Sequence, residues 1–273
     1  MKIHETAYMT CAYRSSNVDI SKDIYASLWN NEVTDLWVQK VTDEVSPYEP
    51  ILHCLRNRFF LESIIEFSKL NPNGVLVNFG AGFSMYPYLL SDKFSCIDID
   101  QEEIINHKSQ QLNKWEDDGL LPKRDISYYA VDFRNENHDL MIRDIKQMIS
   151  GRPSFIILEG VLYFLKKSVS DKLFESFARI QTFSDLLGCV SFLPESKETE
   201  VQRRLDDFFD RYNLTSDTFS YEMLSTETYN EREGYQLIKH VDYIELAKLY
   251  APESNIADKS KILNENMYIL KRI

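Results

Sequence analysis

Between Gly74 and Asp100 the chain reads GVLVNFGAGFSMYPYLLSDKFSCIDID, and this stretch restricts the possible folds more than any other. Val75, Leu76, Val77 and Phe79 form an apolar run rich in β-branched residues, too short for a helix and bounded by Asn73, Gly74 and Gly80. Such a run predicts a strand buried on both faces. It stops at Gly80-Ala81-Gly82. After a strand that enters a parallel sheet, a Gly-x-Gly turn lets the backbone come within contact distance of a ligand, because neither glycine carries a Cβ. Residues 94–99 are predicted as the next strand, ending in Asp98 and Asp100. An acidic side chain at that tip, about 20 residues past the first glycine, is where nucleotide-binding α/β proteins place the acceptor for ribose hydroxyls.

The type of nucleotide follows from what is missing. A dinucleotide fingerprint needs a third glycine three residues after the second, so that a helix N-terminus can approach the pyrophosphate. Here Met85 stands in that place. A cofactor with a ribose but no phosphate, such as S-adenosylmethionine, needs the close turn and the acid but not the anion-binding helix end. The pattern therefore favours the methyl donor over NAD.

At 273 residues the chain is long enough for one large α/β domain, and no repeat or linker divides it. The expected organisation is a single domain, 1–273, in which 1–50 form a helical extension or lid and 51–273 the α/β core. With 43 acidic against 31 basic residues the formal charge is −12. No cluster of Lys or Arg is dense enough to follow a phosphate backbone, so nucleic acid is not an expected partner. Cys11, Cys54, Cys96 and Cys189 lie far apart without a Cys-x-x-Cys pair and are expected to be reduced and buried, with no metal. The first ten residues lack the apolar stretch of a signal peptide, and the longest apolar run, 155–165, is too short for a bilayer. The expectation is a cytoplasmic, soluble protein.

Residues 1–45 are mixed, with Tyr8, Tyr13, Tyr25, Trp29 and Trp37 spaced as in amphipathic helices around 21–40. Such an extension either covers a cofactor site or packs as a helical layer on the sheet. Pro47 and Pro50 break the chain, and apolar residues recur at helical spacing from 51 to 70. Arg56 and Arg58 project from that helix, and either could reach the carboxylate of a ligand. Residues 102–115 read as a helix and 126–131 as a third strand, closed by Asp132, Phe133 and Arg134. In a doubly wound sheet Asp132 and Phe133 share the carboxyl edge with Gly80 and Asp100. An acid beside an aromatic there suits an adenine ring; capping the following helix is the other use for the Asp. After a helix at 138–149, the fourth strand, 155–158, runs directly into Glu159, a carboxylate too expensive to bury unpaired. Glu159 either contacts a ligand or is satisfied by nearby backbone N–H groups. Helices at 169–182, 199–212 and 243–250 alternate with strands at 186–193, 235–241 and 267–270, while 213–235 is polar and Tyr-rich without a clear strand. Strands alternating with helices predict a mostly parallel sheet covered on both sides.

Several of these segments, in order, resemble one family. Val77-Asn78-Phe79-Gly80-Ala81-Gly82 is similar to the hydrophobic-Asn-Leu-Gly-Ala-Gly motif of the leucine carboxyl methyltransferases, which include polyketide O-methyltransferases of the tetracenomycin type. Ile97-Asp98-Ile99-Asp100 with Lys108 resembles the Glu-Val-Asp stretch and its following lysine. Ala130-Val131-Asp132-Phe133-Arg134 resembles Val-Asp-Leu-Arg, and Glu159 to Phe164 resembles Glu-Gly-Val-Leu-x-Tyr-Leu. Upstream, Thr6-Ala7 through Arg14 and Arg56 to Phe60 resemble the Thr-Ala…Arg-Ala and Arg-Thr-Arg-Phe-Phe segments. The likeness runs from about 6 to 165. Asp98 departs from the usual Glu, and Tyr163 directly follows Leu162 where the family has a residue between. The resemblance implies a Rossmann-like class I fold with a seven-stranded sheet, and a cofactor site of Arg14, Arg56, Gly80, Ala81, Gly82, Asp98, Asp100, Asp132, Phe133 and Glu159. It places Tyr163 beside the substrate.

Methyl transfer from a sulfonium asks chiefly for alignment and exclusion of water. A carboxylate acceptor needs no general base, whereas a hydroxyl does. His4, His53, His107, His138 and His240 form no spaced pair; only His240 is placed to line a pocket, and each is expected as a surface or core histidine. The reading is an S-adenosylmethionine-dependent O-methyltransferase acting on a carboxylate of a small natural product, a carrier-bound acyl chain or a protein C-terminus. Hydroxyl methylation of a polyketide-like aromatic is the alternative, and a non-catalytic cofactor-binding protein is the third.

Overall fold

The computed structural model describes residues 3–133, 138–212 and 223–273. Arg134 and residues 213–222 of the Tyr-rich segment lie outside the described residues. Among the described residues seven strands are present: β1 (Val75–Phe79), β2 (Ser95–Asp100), β3 (Ile126–Ala130), β4 (Ser154–Leu158), β5 (Leu186–Phe192), β6 (Tyr235–Asp242) and β7 (Glu265–Arg272). They form one sheet in the order β3-β2-β1-β4-β5-β7-β6. The first five are mutually parallel, and β7 enters antiparallel between β5 and β6.

The helices are α1 (Ile3–Ser16), α2 (Val18–Ser21), α3 (Glu32–Glu44), α4 (Glu49–Leu70), α5 (Tyr86–Leu89) and α6 (Glu102–Asp117) in the first half. In the second half follow α7 (His138–Ile149), α8 (Lys167–Ile180), α9 (Glu200–Arg211), α10 (Thr226–Asn230) and α11 (Tyr243–Tyr250). Alternation along the strands sends side chains to two apolar layers. Leu76, Phe155, Ile157, Val190 and Ile269 pack with Leu55, Phe59 and Ile64 of α4 and with α11. Val75, Val77, Ile156, Leu158 and Leu187 pack with Ile142 and Ile145 of α7 and with Phe174 and Phe177 of α8. Every residue of β1 and β4 is buried, which is why those strands read as unbroken apolar runs. The seven-stranded, mostly parallel sheet with helices on both faces matches the sequence expectation.

The N-terminal region departs from it. Its longest helix, α1, precedes the expected stretch at 21–40, because its apolar residues are spread around the axis and leave no stripe to detect. The 21–40 stretch is itself broken. Lys22 closes α2 in the left-handed region at φ 58°, and Asn31 starts α3 afresh by accepting from the Thr34 N–H. Between β1 and β2 the usual crossover helix is reduced to the four residues of α5. Met85, just before it, is buried against Trp29, whose Nε1–H points at the Met85 sulfur at 3.2 Å. The place of the third glycine is thus filled by core.

Candidate functional site

The register of the central strands sets the site. Phe79, Ile99 and Leu158 lie level across β2, β1 and β4, so the residues that follow them share one edge. From β1 the chain proceeds to β2 and β3 on one side, and from β4 to β5 on the other, so this edge is the switch point where open α/β sheets bind ligands. A cavity of about 290 Å³ opens there.

Gly80, Ala81 and Gly82 line it. Gly80 has φ +69°, and a Cβ on it would stand 2.2 Å from Val161 Cγ2, so conformation and space both require glycine. The turn is strapped to β2: the Gly80 and Ala81 N–H groups donate to the Ile99 carbonyl, and the Gly82 N–H donates to Asp100 Oδ2 at 2.8 Å. The Gln101 N–H donates to the other oxygen at 2.7 Å. Burial pushes the Asp100 carboxyl up, while those two amides pull it down. Asp100 faces the cavity.

Asp98 does not line the cavity, contrary to the sequence expectation. It shares a face with Asp100 but lies two residues deeper along β2, where Lys108 of α6 covers it with Nζ 2.8 Å from Oδ2. Both side chains are fully buried. The Asn78 amide donates to Asp98 Oδ1 at 3.2 Å and to Ser84 Oγ at 2.7 Å, and Lys108 also reaches the Ala81 carbonyl at 3.4 Å. This buried network underpins the glycine turn. At the end of β3, Asp132 and Phe133 both line the cavity, and the Phe133 ring packs 5.7 Å from Phe79.

Glu159 lines the cavity, satisfied by side chains rather than by the backbone N–H groups considered above. Arg56 Nε donates to Oε1 at 2.8 Å and Tyr86 Oη to Oε2 at 2.6 Å. Arg56 Nη1 also donates to both oxygens of Glu265, at 2.9 and 2.8 Å. Glu265 is further held by Tyr163 Oη at 2.6 Å and by Tyr243 Oη. Tyr163 lines the cavity, and its hydroxyl is committed to Glu265. Of the two arginines, Arg56 is buried in the wall, and Arg58 turns outward to Glu62. Arg14 of α1 also lines the cavity, its Nε donating to buried Asp23 at 2.9 Å.

Sequence reasoning missed several wall residues. Glu265 opens β7 opposite Phe192; an antiparallel last strand starts where the parallel ones end, which delivers this acid to the site. Tyr243 follows β6 at the same edge. Glu49 and His53 share a face of α4 with Arg56 at spacings of four and three, a pattern that could have marked them. His240, expected as a surface or core histidine though placed where it could line a pocket, stacks on Tyr268 at 4.6 Å and bonds Asn266 Oδ1 at 2.8 Å, and the histidine that lines the cavity is His53. Burial, then the Arg56 guanidinium, pushes His53 down to about 3. Burial and the Glu265 carboxylate push Glu49 up to about 8 against the pull of Arg56.

The residues present suit an adenosine bearing an amino-acid tail. The glycine turn leaves no Cβ in the way of a close approach, Asp100 offers carboxylate lone pairs beside it, and Asp132 and Phe133 face the same space. Arg56, Glu159 and Glu265 together carry net negative charge, which suits a ligand of net positive charge. Among the described residues no helix is long and apolar enough to cross a membrane.

Solved structures share this architecture. A candidate methyltransferase from Thermobifida fusca superposes with a TM-score of 0.65 at 14% identity, over 96% of this chain and 93% of its own. A DUF574 family protein from Streptomyces avermitilis gives 0.62 at 12% identity, over 96% and 97%. The magnesium protoporphyrin IX methyltransferase of Synechocystis, solved with S-adenosylhomocysteine, gives 0.53 at 11% identity, over 92% and 100%. At such identities the likeness is one of fold. No curated protein matches in sequence. The model of the leucine carboxyl methyltransferase family matches residues 10–178, more than half of the chain, and the protein accordingly belongs to that family of S-adenosylmethionine-dependent methyltransferases.

Proposed function

We propose that the protein is an O-methyltransferase whose acceptor atom is a carboxylate oxygen, on a small natural product, a carrier-bound acyl chain or a protein C-terminus. One observation carries this reading: the cavity beside the glycine turn, Asp100 and Glu159 continues into an apolar chamber where His53, pushed down to about 3, is a weak base and Glu49, pushed up to about 8, already holds its proton at neutral pH. In this reading Asp100 accepts from the ribose hydroxyls, Asp132 from the adenine amine with Phe133 against the ring, and Gly80, Ala81 and Gly82 permit close approach. Arg14 and Arg56 attract the cofactor carboxylate and Glu159 receives its amino group. Asp98, through Lys108 and Asn78, holds the turn in shape, and Tyr163 steadies Glu265 and forms part of the acceptor wall.

When bound, S-adenosylmethionine supplies a methyl group on a positively charged sulfur. Held there, it would offer that methyl to the acceptor oxygen and keep the old bonding pair on a neutral sulfur, and a carboxylate acceptor would need no proton removed. The chain's work is then to orient the acceptor and keep the site dry. A second reading, methylation of an aromatic hydroxyl, draws on His53 and on the aromatic wall of Phe164, Phe208 and Phe209. His53 supports it weakly, since an imidazole pushed down to about 3 holds a transferred proton poorly.

The test is turnover with methyl-labelled S-adenosylmethionine and a panel of carboxylic acids and phenols. Formation of S-adenosylhomocysteine with a label released by mild base supports the ester. A base-stable label moves the assignment to the hydroxyl, and cofactor binding without turnover on any acceptor removes the enzymatic reading.

A further inference from the structure

The cavity has a polar end that the cofactor roles leave unused. Glu49, His53 and Arg56 line one face of α4, and α1 lays Tyr13 over that face with its ring 4.8 Å from the His53 imidazole. Tyr13 Oη and Glu49 Oε1 are buried with no hydrogen-bond partner among the described residues, although both side chains line the cavity. Two such groups weigh against the fold by about 1–3 kcal/mol each unless a ligand satisfies them. His53 Nδ1 lies 3.0 Å from the Glu49 carbonyl, which assigns the ring proton to that nitrogen and the lone pair to Nε2. Beyond this polar end Met9, Val41, Leu205, Phe208 and Leu263 make an apolar wall.

We infer that Tyr13, Glu49 and His53 form the head-group site of the methyl acceptor, and that the acceptor is a monocarboxylic acid with an extended apolar body. This rests on the carboxyl-methyltransferase reading above and specifies its substrate. The sign of the site decides the head group. Glu49 faces Glu265 of β7, Arg56 and His53 of its own helix, Tyr13 of α1 and Tyr243 of α11. In that company it keeps its proton at neutral pH, so Glu49 and Tyr13 both present O–H donors while Arg56 lies two turns along α4. Two neutral donors complement a carboxylate, and the Arg56 guanidinium beside them is already taken up by Glu159 and Glu265. An ammonium would meet donors aimed at it. Neutral donors also leave more charge on the attacking oxygen than a bidentate guanidinium would.

The test uses the full chain loaded with S-adenosylhomocysteine and titrated by calorimetry at pH 7 with decanoate, decanol, decylamine and acetate. Decanoate is expected to bind at least about tenfold tighter than the alcohol, the amine or the two-carbon acid. Glu49→Gln, which keeps a donor, holds decanoate affinity within about threefold and removes its decline above pH 8. Glu49→Ala and Tyr13→Phe each weaken decanoate by about tenfold, with S-adenosylhomocysteine affinity unchanged. Tighter binding of decylamine or decanol, or loss of decanoate binding in a folded Glu49→Gln protein that still takes S-adenosylhomocysteine, overturns the inference and leaves the cofactor assignment standing. Failure of the wild-type protein to bind S-adenosylhomocysteine overturns the cofactor site and this inference with it.

Discussion

The two halves of the cavity are built on opposite rules. Along the carboxyl ends of β1, β2 and β4 each acidic side chain is matched: Asp98 by Lys108, Asp100 by two backbone amides, Glu159 by Arg56 and Tyr86. In the chamber beneath α1, α3 and α9 the wall is apolar, and two buried oxygens, Tyr13 Oη and Glu49 Oε1, go unmatched. A fully satisfied network holds its donors and acceptors in place before a ligand arrives, so little reorganisation remains. An unsatisfied one is completed by the ligand and so reports on what that ligand is. In the reading proposed above, the first half serves the cofactor and the second the acceptor.

The largest expected effect tests the matched half. Asp98→Ala strands the Lys108 ammonium in a fully buried position, and urea unfolding is expected to show a loss of about 3–5 kcal/mol. Asp98→Leu combined with Lys108→Met removes both charges and recovers most of that loss. A single variant as stable as the wild type would mean that the network does not underpin the glycine turn.

Next comes a pH effect in the unmatched half. Glu49 has its proton affinity raised, from the ordinary 4.5 to about 8, so the folded state holds a proton that the unfolded chain releases. Its contribution to stability is complete below about 4.5 and declines as pH rises towards 8. His53, lowered from 6.5 to about 3, works in the opposite sense, adding stability as pH rises from 3 to 6.5. The two offset each other between 4.5 and 6.5. Between 6.5 and 8 Glu49 acts alone, and stability of the free protein is expected to fall by about 2 kcal/mol. Glu49→Gln flattens that limb. A wild-type profile already flat between 6.5 and 8 would show that Glu49 ionises normally and that the two halves do not differ in this respect.

A smaller effect separates the halves by ligand. Asp100→Ala is expected to weaken S-adenosylhomocysteine by more than about tenfold, or 1.4 kcal/mol, in calorimetry. Glu49→Gln leaves that affinity unchanged. Equal losses in both variants would merge the two sites into one.

The same division governs how much was legible beforehand. The glycine turn, Asp100, Asp132, Phe133 and Glu159 are read from local order, because a parallel sheet brings each strand's end to one edge wherever the strands sit in the chain. Asp98 was misjudged since alternation gives the face but not the depth, and Lys108 covers the deeper position. Glu265 was invisible because its role depends on β7 inserting antiparallel, a choice of topology that its own residues do not announce. Tyr13 sits on a helix without an apolar stripe, and the Glu49, His53 and Arg56 face gains meaning only once α1 closes over it.

Tyr13→Phe makes the smallest and sharpest test of the contrast. Removing a hydroxyl from a matched site, such as Tyr163 Oη on Glu265, leaves its partner with one fewer donor and is expected to lower stability by about 1 kcal/mol or more. Tyr13 Oη has no partner among the described residues, so its removal deletes an unsatisfied polar atom and is expected to leave stability unchanged or slightly raised, by less than about 1 kcal/mol. Urea unfolding of Tyr13→Phe and Tyr163→Phe side by side checks the difference. If both lose the same stability, Tyr13 is bonded in the folded protein and the chamber is as fully matched as the cofactor edge. If Tyr13→Phe loses nothing, the hydroxyl is held for something other than folding.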